Sequence, residues 1–266
     1  MYSKNKSRSC LWCYAVLVIL MVFGFSAAPV SAAEGVDPKA DEILRVMSTY
    51  IGQLPEFSLM ADIDNEIVNL EGQKLQLSAS SKIVIRRPGE LYATREGMLA
   101  DVVITFDGKM LTLYGKRLNA YTRIESPGTI DDAIYGLEFA TGLEAPGADL
   151  FFADPYAVLS EGLLSGEYIG TAYVDGVACH HLAFREAKVD WQLWVSSGDA
   201  PLPLKYVITS KWVTGAPQYT SRLREWNLNP KIASGQFEFT APEGAVALET
   251  IQVNEIGELV GSEGGQ

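Results

Sequence analysis

Most of the chain alternates between apolar and polar residues with a period of two. The clearest example is 75–86, where leucine, alanine and isoleucine occupy one face while glutamine, serine and lysine occupy the other. Antiparallel strands with one face in the core and one in water give this pattern. Similar segments, separated by glycine, proline and Asp-Gly turn signals, recur from 57 to 124 and from 168 to 239. We therefore predict about eleven strands in a strongly curved antiparallel sheet or open barrel, the last strand at 237–239.

Three segments change to a helical period of about 3.6 residues. An Asp-Pro pair, which supplies an N-cap and a proline at the first helical position, opens the first at Asp37 and the third at Asp154. The second and third lie in a block, 126–164, that interrupts the strands, and we expect the helices to cover the concave face of the sheet. The predicted helices are 38–53, 129–142 and 155–164.

Three consecutive large apolar residues, Leu150, Phe151 and Phe152, fall in the predicted loop between the second and third helices. Burial of each is worth roughly 1.5–3 kcal/mol, so we expect them to pack over the curved sheet rather than remain in water. Glycines at 142, 147 and 166 would allow the block that carries these residues to move as a lid, as a ligand gate requires. A permanently docked plug is the alternative interpretation.

The first 33 residues have the organisation of an export signal. A basic start is followed by the uncharged apolar run 10–25 and then by small residues up to Ala33. The run is shorter than the roughly 20 residues of a spanning helix, although an uncleaved membrane anchor remains the alternative. We predict that the signal peptide, 1–32, is cleaved near Ala32 or Ala33 and that the protein is periplasmic.

The composition of the remaining chain is strongly acidic. Cleavage removes three of the 21 basic residues and none of the 33 acids, which changes the formal net charge from −12 to −15. Such a surface repels phosphate backbones, so we expect no nucleic-acid partner. Cys179 is the only cysteine left, which excludes an intramolecular disulfide. We expect a single domain over 36–250 and a partly disordered tail at 251–266.

Several strings in the second half of the chain resemble a family of predicted periplasmic proteins related to the LolA/LolB/LppX lipoprotein-carrier superfamily. The strings are Gly170–Phe184, Asp190–Trp194, Pro201–Lys205 and Trp226–Pro230. The resemblance covers essentially all of 36–250. It implies an eleven-stranded half-barrel with a helical lid over an apolar cavity, which takes acyl chains in the characterised relatives.

The triplet Cys179-His180-His181 is the strongest candidate for chemistry. Neighbouring strand residues point to opposite faces, and a structural zinc site needs four ligands, so the triplet favours a structural role over metal binding. The chain has no Gly-x-Ser-x-Gly nucleophile motif and only these two histidines. We therefore expect no catalytic residues, no metal and no cofactor, and we do not expect an enzyme.

Large apolar residues of the C-terminal strands are either core residues or the lining of a ligand cavity. The first hypothesis for function is a carrier or binding protein for an apolar ligand, such as a lipid or a lipoprotein acyl chain. The alternative is an envelope protein-interaction or sensing module without a bound ligand; a continuous apolar cavity of at least about 300 Å³ would favour the carrier. The candidate cavity or lid residues are Leu150, Phe151, Phe152, Trp191, Leu193, Tyr206, Ile208, Trp212 and Trp226.

Overall fold

The computed structural model describes residues 35–98, 100–142, 145–249, 251–253 and 259–261. The predicted signal peptide, 1–32, lies outside the described residues. Within them, no helix combines the length and the apolar character that crossing a membrane requires. In the described residues, the dominant feature is one open, curved sheet of twelve strands, accompanied by three α-helices and a short 3₁₀ helix.

Eleven strands of this sheet follow one another in antiparallel hairpins and connections. The sheet order is β12-β6-β5-β4-β3-β2-β1-β11-β10-β9-β8-β7, so the first strand lies in the middle and pairs with the last long strand. Only β12 runs parallel to its neighbour, β6. The strands are β1 (Glu56–Val68), β2 (Lys74–Arg86), β3 (Glu90–Gly97), β4 (Asp101–Phe106), β5 (Met110–Gly115), β6 (Ala120–Glu125), β7 (Ser165–Val174), β8 (Val177–Arg185), β9 (Val189–Ser196), β10 (Pro203–Ser210), β11 (Gln218–Asn227) and β12 (Val246–Ala247).

The period-two pattern places one face of each central strand in the core. Along β1, Phe57, Leu59, Ala61 and Ile63 are buried and the residues between them are less so. The register brings Ala61 opposite a serine of β2 and opposite Leu223 of β11. A slip of one residue would turn every buried side chain to the solvent face, so this pattern fixes the register.

The helices α1 (Pro38–Gln53), α2 (Ile130–Thr141) and α3 (Pro155–Ser160) lie where the sequence predicts them. Asp37 caps α1 by accepting from the amide N of Lys39 at 2.8 Å. Thr129 and Asp132 form a reciprocal capping box at the start of α2, which ends at Gly142 with φ of 70°. The third helix ends earlier than predicted, at 160, because the chain turns through Gly162 at φ of 75°.

One predicted strand is wrong. Residues 237–239 form a turn region rather than a strand: Phe237 is buried there, and the ring of Phe239 lies 5.0 Å from that of Tyr121. The additional strand is instead β12, whose two residues are too few to show an alternation. In the predicted tail, β13 (Ile251–Val253) and β14 (Leu259–Gly261) form an antiparallel pair.

Candidate functional site

A cavity of about 160 Å³ lies between the concave face of the sheet and the block that follows β6. Its walls come from β1–β4 and β11 on one side and from α2 and the 3₁₀ helix (Ala148–Phe151) on the other. Isoleucine, leucine, valine and alanine dominate the lining. On the lid side the lining includes Ile134, Leu137, Leu150 and Phe151.

Small side chains on the central strands create this space. Ala61, Ser81, Ala93 and Ser221 all line the cavity on neighbouring strands. Elsewhere the same concave face carries bulky residues, such as the fully buried Phe57 of β1. The helices pack at a distance set by the bulky positions, so the small ones leave an unfilled apolar volume.

Arg87, which follows β2, holds the lid segment to the sheet. Its guanidinium donates to the carbonyl oxygens of Phe151 at 2.8 Å and Phe152 at 3.0 Å. Burial lowers the pKa of Arg87, and the carboxylate of Asp131 acts in the opposite direction. Asp131 itself accepts from the amide N of Ala153 at 3.0 Å. Two charged side chains therefore fix the backbone of residues 151–153.

Asp149 connects the 3₁₀ helix to β10. Its Oδ2 accepts from the hydroxyl of Tyr206 at 3.3 Å, and its Oδ1 accepts from the amide N of Leu150 at 2.9 Å. Burial raises the pKa of Asp149 to about 6, with a smaller contribution in the same direction from Glu186. Burial also raises the pKa of Tyr206 well above its ordinary value. The lid is therefore attached to β10 through a carboxyl group whose ionised form is destabilised by burial.

A third polar connection joins α3 to α1. The hydroxyl of Tyr156 donates to Oδ1 of Asp41 at 2.5 Å, and Arg45 donates to that hydroxyl at 2.6 Å. Arg45 also pairs with Asp41 at 3.1 Å. The C-terminal end of the block is thus tied to the first helix while its middle covers the cavity.

Arg95 of β3 is the only charged side chain among the described residues that line the cavity. Its Nε is buried without a hydrogen-bond partner. No ion pair or hydrogen bond joins the guanidinium to another residue of the described ranges. An unsatisfied buried donor costs about 1–3 kcal/mol, so this arrangement calls for an explanation.

The sequence matches a family model described as "Predicted periplasmic protein (DUF2092)" over residues 40–251. The chain belongs to this family. The prediction of a family of predicted periplasmic proteins is thereby confirmed. No curated protein matches the sequence.

Several solved structures resemble this DUF2092 protein, and they include the following three. LprF from Mycobacterium bovis has a TM-score of 0.47 and 15% identity, and the match covers 79% of this chain and 98% of that one. Mycobacterium tuberculosis lipoprotein LppX has a TM-score of 0.36 and 13% identity over 73% and 97%. A LolA superfamily protein from Nitrosomonas europaea has a TM-score of 0.33 and 9% identity over 74% and 97%.

The predicted lid residues of this DUF2092 protein are all buried. Leu150 and Phe151 line the cavity, whereas Phe152 does not belong to the lining. The ring of Phe152 packs edge-on against Tyr135 of α2 at 5.3 Å. The three neighbouring residues therefore divide between the cavity wall and the helix that supports it.

Four of the residues that the sequence predicts for the cavity or lid belong to β9 and β10. They lie on the concave face but outside the cavity lining. Trp191 stacks on Phe184 at 4.2 Å and donates to a glutamate carboxylate at 2.8 Å. Leu193 and Tyr206 are buried, and Ile208 is partly buried against the same core. Large side chains fill this half of the sheet, so the space is confined to the half with small ones.

The two remaining predicted tryptophans have different surroundings. Trp226 packs between Phe57 at 5.6 Å and Phe151 at 6.1 Å, beside the cavity rather than in its lining. Trp212 is 71% exposed on the turn after β10. Its place on the inward face assumed that the strand continues, but β10 ends at Ser210.

The Cys-His-His triplet has structural contacts on both faces of β8. Nδ1 of His180 lies 3.3 Å from the hydroxyl of Tyr168. His181 stacks on Trp194 at 4.1 Å, and its Nε2 lies 3.0 Å from Oε1 of Gln192. Within the described ranges, no group of three His, Cys, Asp or Glu side chains could hold a metal ion. That the protein binds no metal stays a prediction.

Sequence reasoning missed Arg95, although a signal for it exists. In β3, Leu91, Ala93 and Arg95 follow the same period of two, which puts a cation in line with two inward-facing apolar residues. A charge at an inward-facing position of an alternating strand is the feature that would have identified it.

Proposed function

We propose that this protein is a periplasmic binding or carrier protein for an apolar ligand, a lipid or a lipoprotein acyl chain. The supporting observation is the apolar cavity between the concave sheet face and a lid that carries Leu150 and Phe151. Two apolar lid residues close the space, while a few polar contacts through Arg87 and Asp149 hold the lid backbone. Lifting the lid costs those contacts and the burial of Leu150 and Phe151, roughly 1.5–3 kcal/mol each, and an apolar ligand restores that burial.

The size of the cavity defines what the closed form can hold. At about 160 Å³ it is near the size of an engineered apolar cavity of about 150 Å³ that binds benzene. It is smaller than the roughly 300 Å³ typical of a complete ligand pocket. The closed form therefore accommodates one end of a chain, and a whole acyl chain requires the lid to lift.

The lid has a backbone suited to that movement. Gly142 and Gly147, on either side of the segment that enters the 3₁₀ helix, both have left-handed backbone angles, with φ of 70° and 86°. Glycine reaches these angles without strain and leaves them equally easily. In this proposal the two glycines absorb the change in backbone direction when a ligand enters.

A second candidate is an envelope interaction or sensing module, and the modest cavity volume favours it. A further observation in its favour lies on α2, where Phe139 is 95% exposed and Tyr135 is 53% exposed. Exposed aromatic residues on a surface helix suit contact with another protein. In this case the lid would be a permanent plug.

Binding of the neutral fluorescent probe N-phenyl-1-naphthylamine to the purified mature protein tests the carrier proposal. We expect one saturable site, which Ala93→Phe abolishes by filling the cavity. The matched control is Thr171→Phe, which adds the same side chain to the exposed face of β7. Native mass spectrometry of protein isolated from its own envelope should show a bound lipid. Absence of both probe binding and a co-purified lipid would contradict the proposal and leave the interaction module.

A further inference from the structure

The cavity has one polar feature that an apolar ligand alone does not explain. Arg95 lies on β3 opposite Ser81 of β2 and Val102 of β4, and all three line the cavity. The Nε atom of Arg95 is buried and unpartnered, while the residue as a whole is partly exposed. The guanidinium therefore lies at the boundary between the apolar space and solvent.

Among the described residues, Arg123 of β6 contacts aromatic rings only, but several other arginines of the sheet are paired with carboxylates. Arg86 contacts Glu56 at 3.3 Å, and Arg224 contacts Asp62 at 2.7 Å. The protein has 33 acidic residues against 21 basic ones, so acidic partners are abundant. Arg95 nevertheless has no such partner among the residues of the described ranges. No residue of the described ranges occupies these donors, so they remain accessible to a ligand.

The surroundings of Arg95 favour an anion of low charge. Burial raises the pKa of the nearby Tyr219 hydroxyl to about 12. The positive charge of Arg95 acts in the opposite direction and lowers that pKa by a smaller amount. Ser81, which lies opposite Arg95 on β2, adds a hydroxyl group to the lining. One guanidinium with a few neutral donors matches a single negative charge, since a dianion would need further cations.

We propose that the ligand is an amphipathic monoanion, whose apolar tail occupies the cavity and whose head group binds Arg95. This inference rests on the proposed function and specifies its ligand class. A carboxylate and a phosphodiester share the required chemistry, because each presents two oxygens to the guanidinium fork and carries one charge. Binding converts the unpaired donors of Arg95 into charge-assisted hydrogen bonds.

The experiment measures displacement of N-phenyl-1-naphthylamine from the mature protein at pH 8. The ligands are tridecanoate, methyl dodecyl phosphate and the neutral dodecan-1-ol, which have the same dodecyl tail. We expect at least one anion to bind about 10- to 100-fold more tightly than the alcohol, the range for charge-assisted hydrogen bonds. The order of the two anions identifies the source of the head group, and either order supports the proposal.

Three variants separate the effect of Arg95 from changes in net charge or folding. Arg95→Met should abolish the preference for the anion, measured within the variant as the ratio of the anion affinity to the dodecan-1-ol affinity. Arg95→Lys keeps the charge without the planar fork and should retain a smaller preference, which provides a readout if the methionine variant folds poorly. Arg222→Met is the control, because it removes the same charge from an exposed position of β11 whose nearest carboxylate oxygen, on Asp175, is 3.7 Å away.

The outcomes distinguish this inference from the function on which it rests. If the neutral probe binds but the anions bind no more tightly than the alcohol, the inference is overturned and the carrier proposal stands. The same holds if Arg95→Met and Arg222→Met reduce the preference equally. If the wild-type protein binds neither the probe nor any of the three ligands, both proposals fail.

Discussion

Replacing Asp149 by asparagine should stabilise the protein at neutral and alkaline pH. Burial raises the pKa of this carboxyl group from 3.8 in the unfolded chain to about 6 in the folded protein. Asparagine keeps an acceptor for the amide N of Leu150 and places an amide opposite Tyr206, so the local contacts survive without the charge. The variant removes the cost of a buried carboxylate at the point where the lid meets β10.

The magnitude follows from the two pKa values. Their difference corresponds to about 3 kcal/mol in the free energy of unfolding once the group is fully ionised in both states. Between pH 3.8 and about 6 the folded state binds more protons than the unfolded state, so the stability of the wild type falls as the pH rises through this window. The residue is partly exposed, which makes 3 kcal/mol an upper limit.

Urea denaturation at a series of pH values from 4 to 8 measures this effect. We expect Asp149→Asn to be more stable than the wild type by up to about 3 kcal/mol at pH 8 and by only about 0.6 kcal/mol at pH 4. Asp199→Asn, in the exposed turn after β9, removes one acid from the surface and controls for the change in net charge. A gain that is independent of pH, or a loss of stability at pH 8, would refute the argument.

Three further predictions concern the lid and the start of the chain. Arg87→Met should destabilise the protein by about 1.5–3 kcal/mol for each lost lid contact and speed amide exchange at 148–153; unchanged exchange would contradict the role of Arg87 as an anchor. Phe151→Ala should weaken probe binding, whereas Phe152→Ala, outside the cavity lining, should lower stability by about 3–5 kcal/mol with binding per folded molecule preserved. If both variants weakened probe binding equally, the distinction between a cavity-lining Phe151 and a Phe152 outside the lining would be wrong. Intact-mass analysis of the envelope fraction should give a chain that starts at Ala33 or Glu34, and a full-length membrane species would exclude cleavage.

The sequence is informative wherever the pattern is local. The first helix has the predicted bounds, 38–53, because its periodicity and its cap lie within a few residues. The lid residue Phe151 was correctly expected to be buried, since hydrophobicity alone requires a cover for it. These features depend only on neighbours along the chain.

The cavity itself depends on contacts that no local pattern specifies. Trp212 was assigned to the inward face because the alternation was extended past the end of β10. The small residues that create the space, such as Ala61 and Ser221, come from strands that lie far apart in sequence. The two residues of β12 pair in parallel with β6, and a segment of two residues is too short for an alternating pattern to predict this pairing.

The central position of β1 has a consequence for how the chain reaches this structure. Strands β1 to β6 and β7 to β11 each form from contacts between sequence neighbours, but the pairing of Ala61 with Leu223 joins the two halves across about 160 residues. Closing so long a loop costs chain entropy before the favourable contacts between β1 and β11 form. This cost slows folding. Until β11 pairs with β1, one edge of β1 has unpaired backbone groups that can pair with strands of other molecules. Refolding should therefore show a late, rate-limiting association of the two halves, with aggregation competing most strongly before that step.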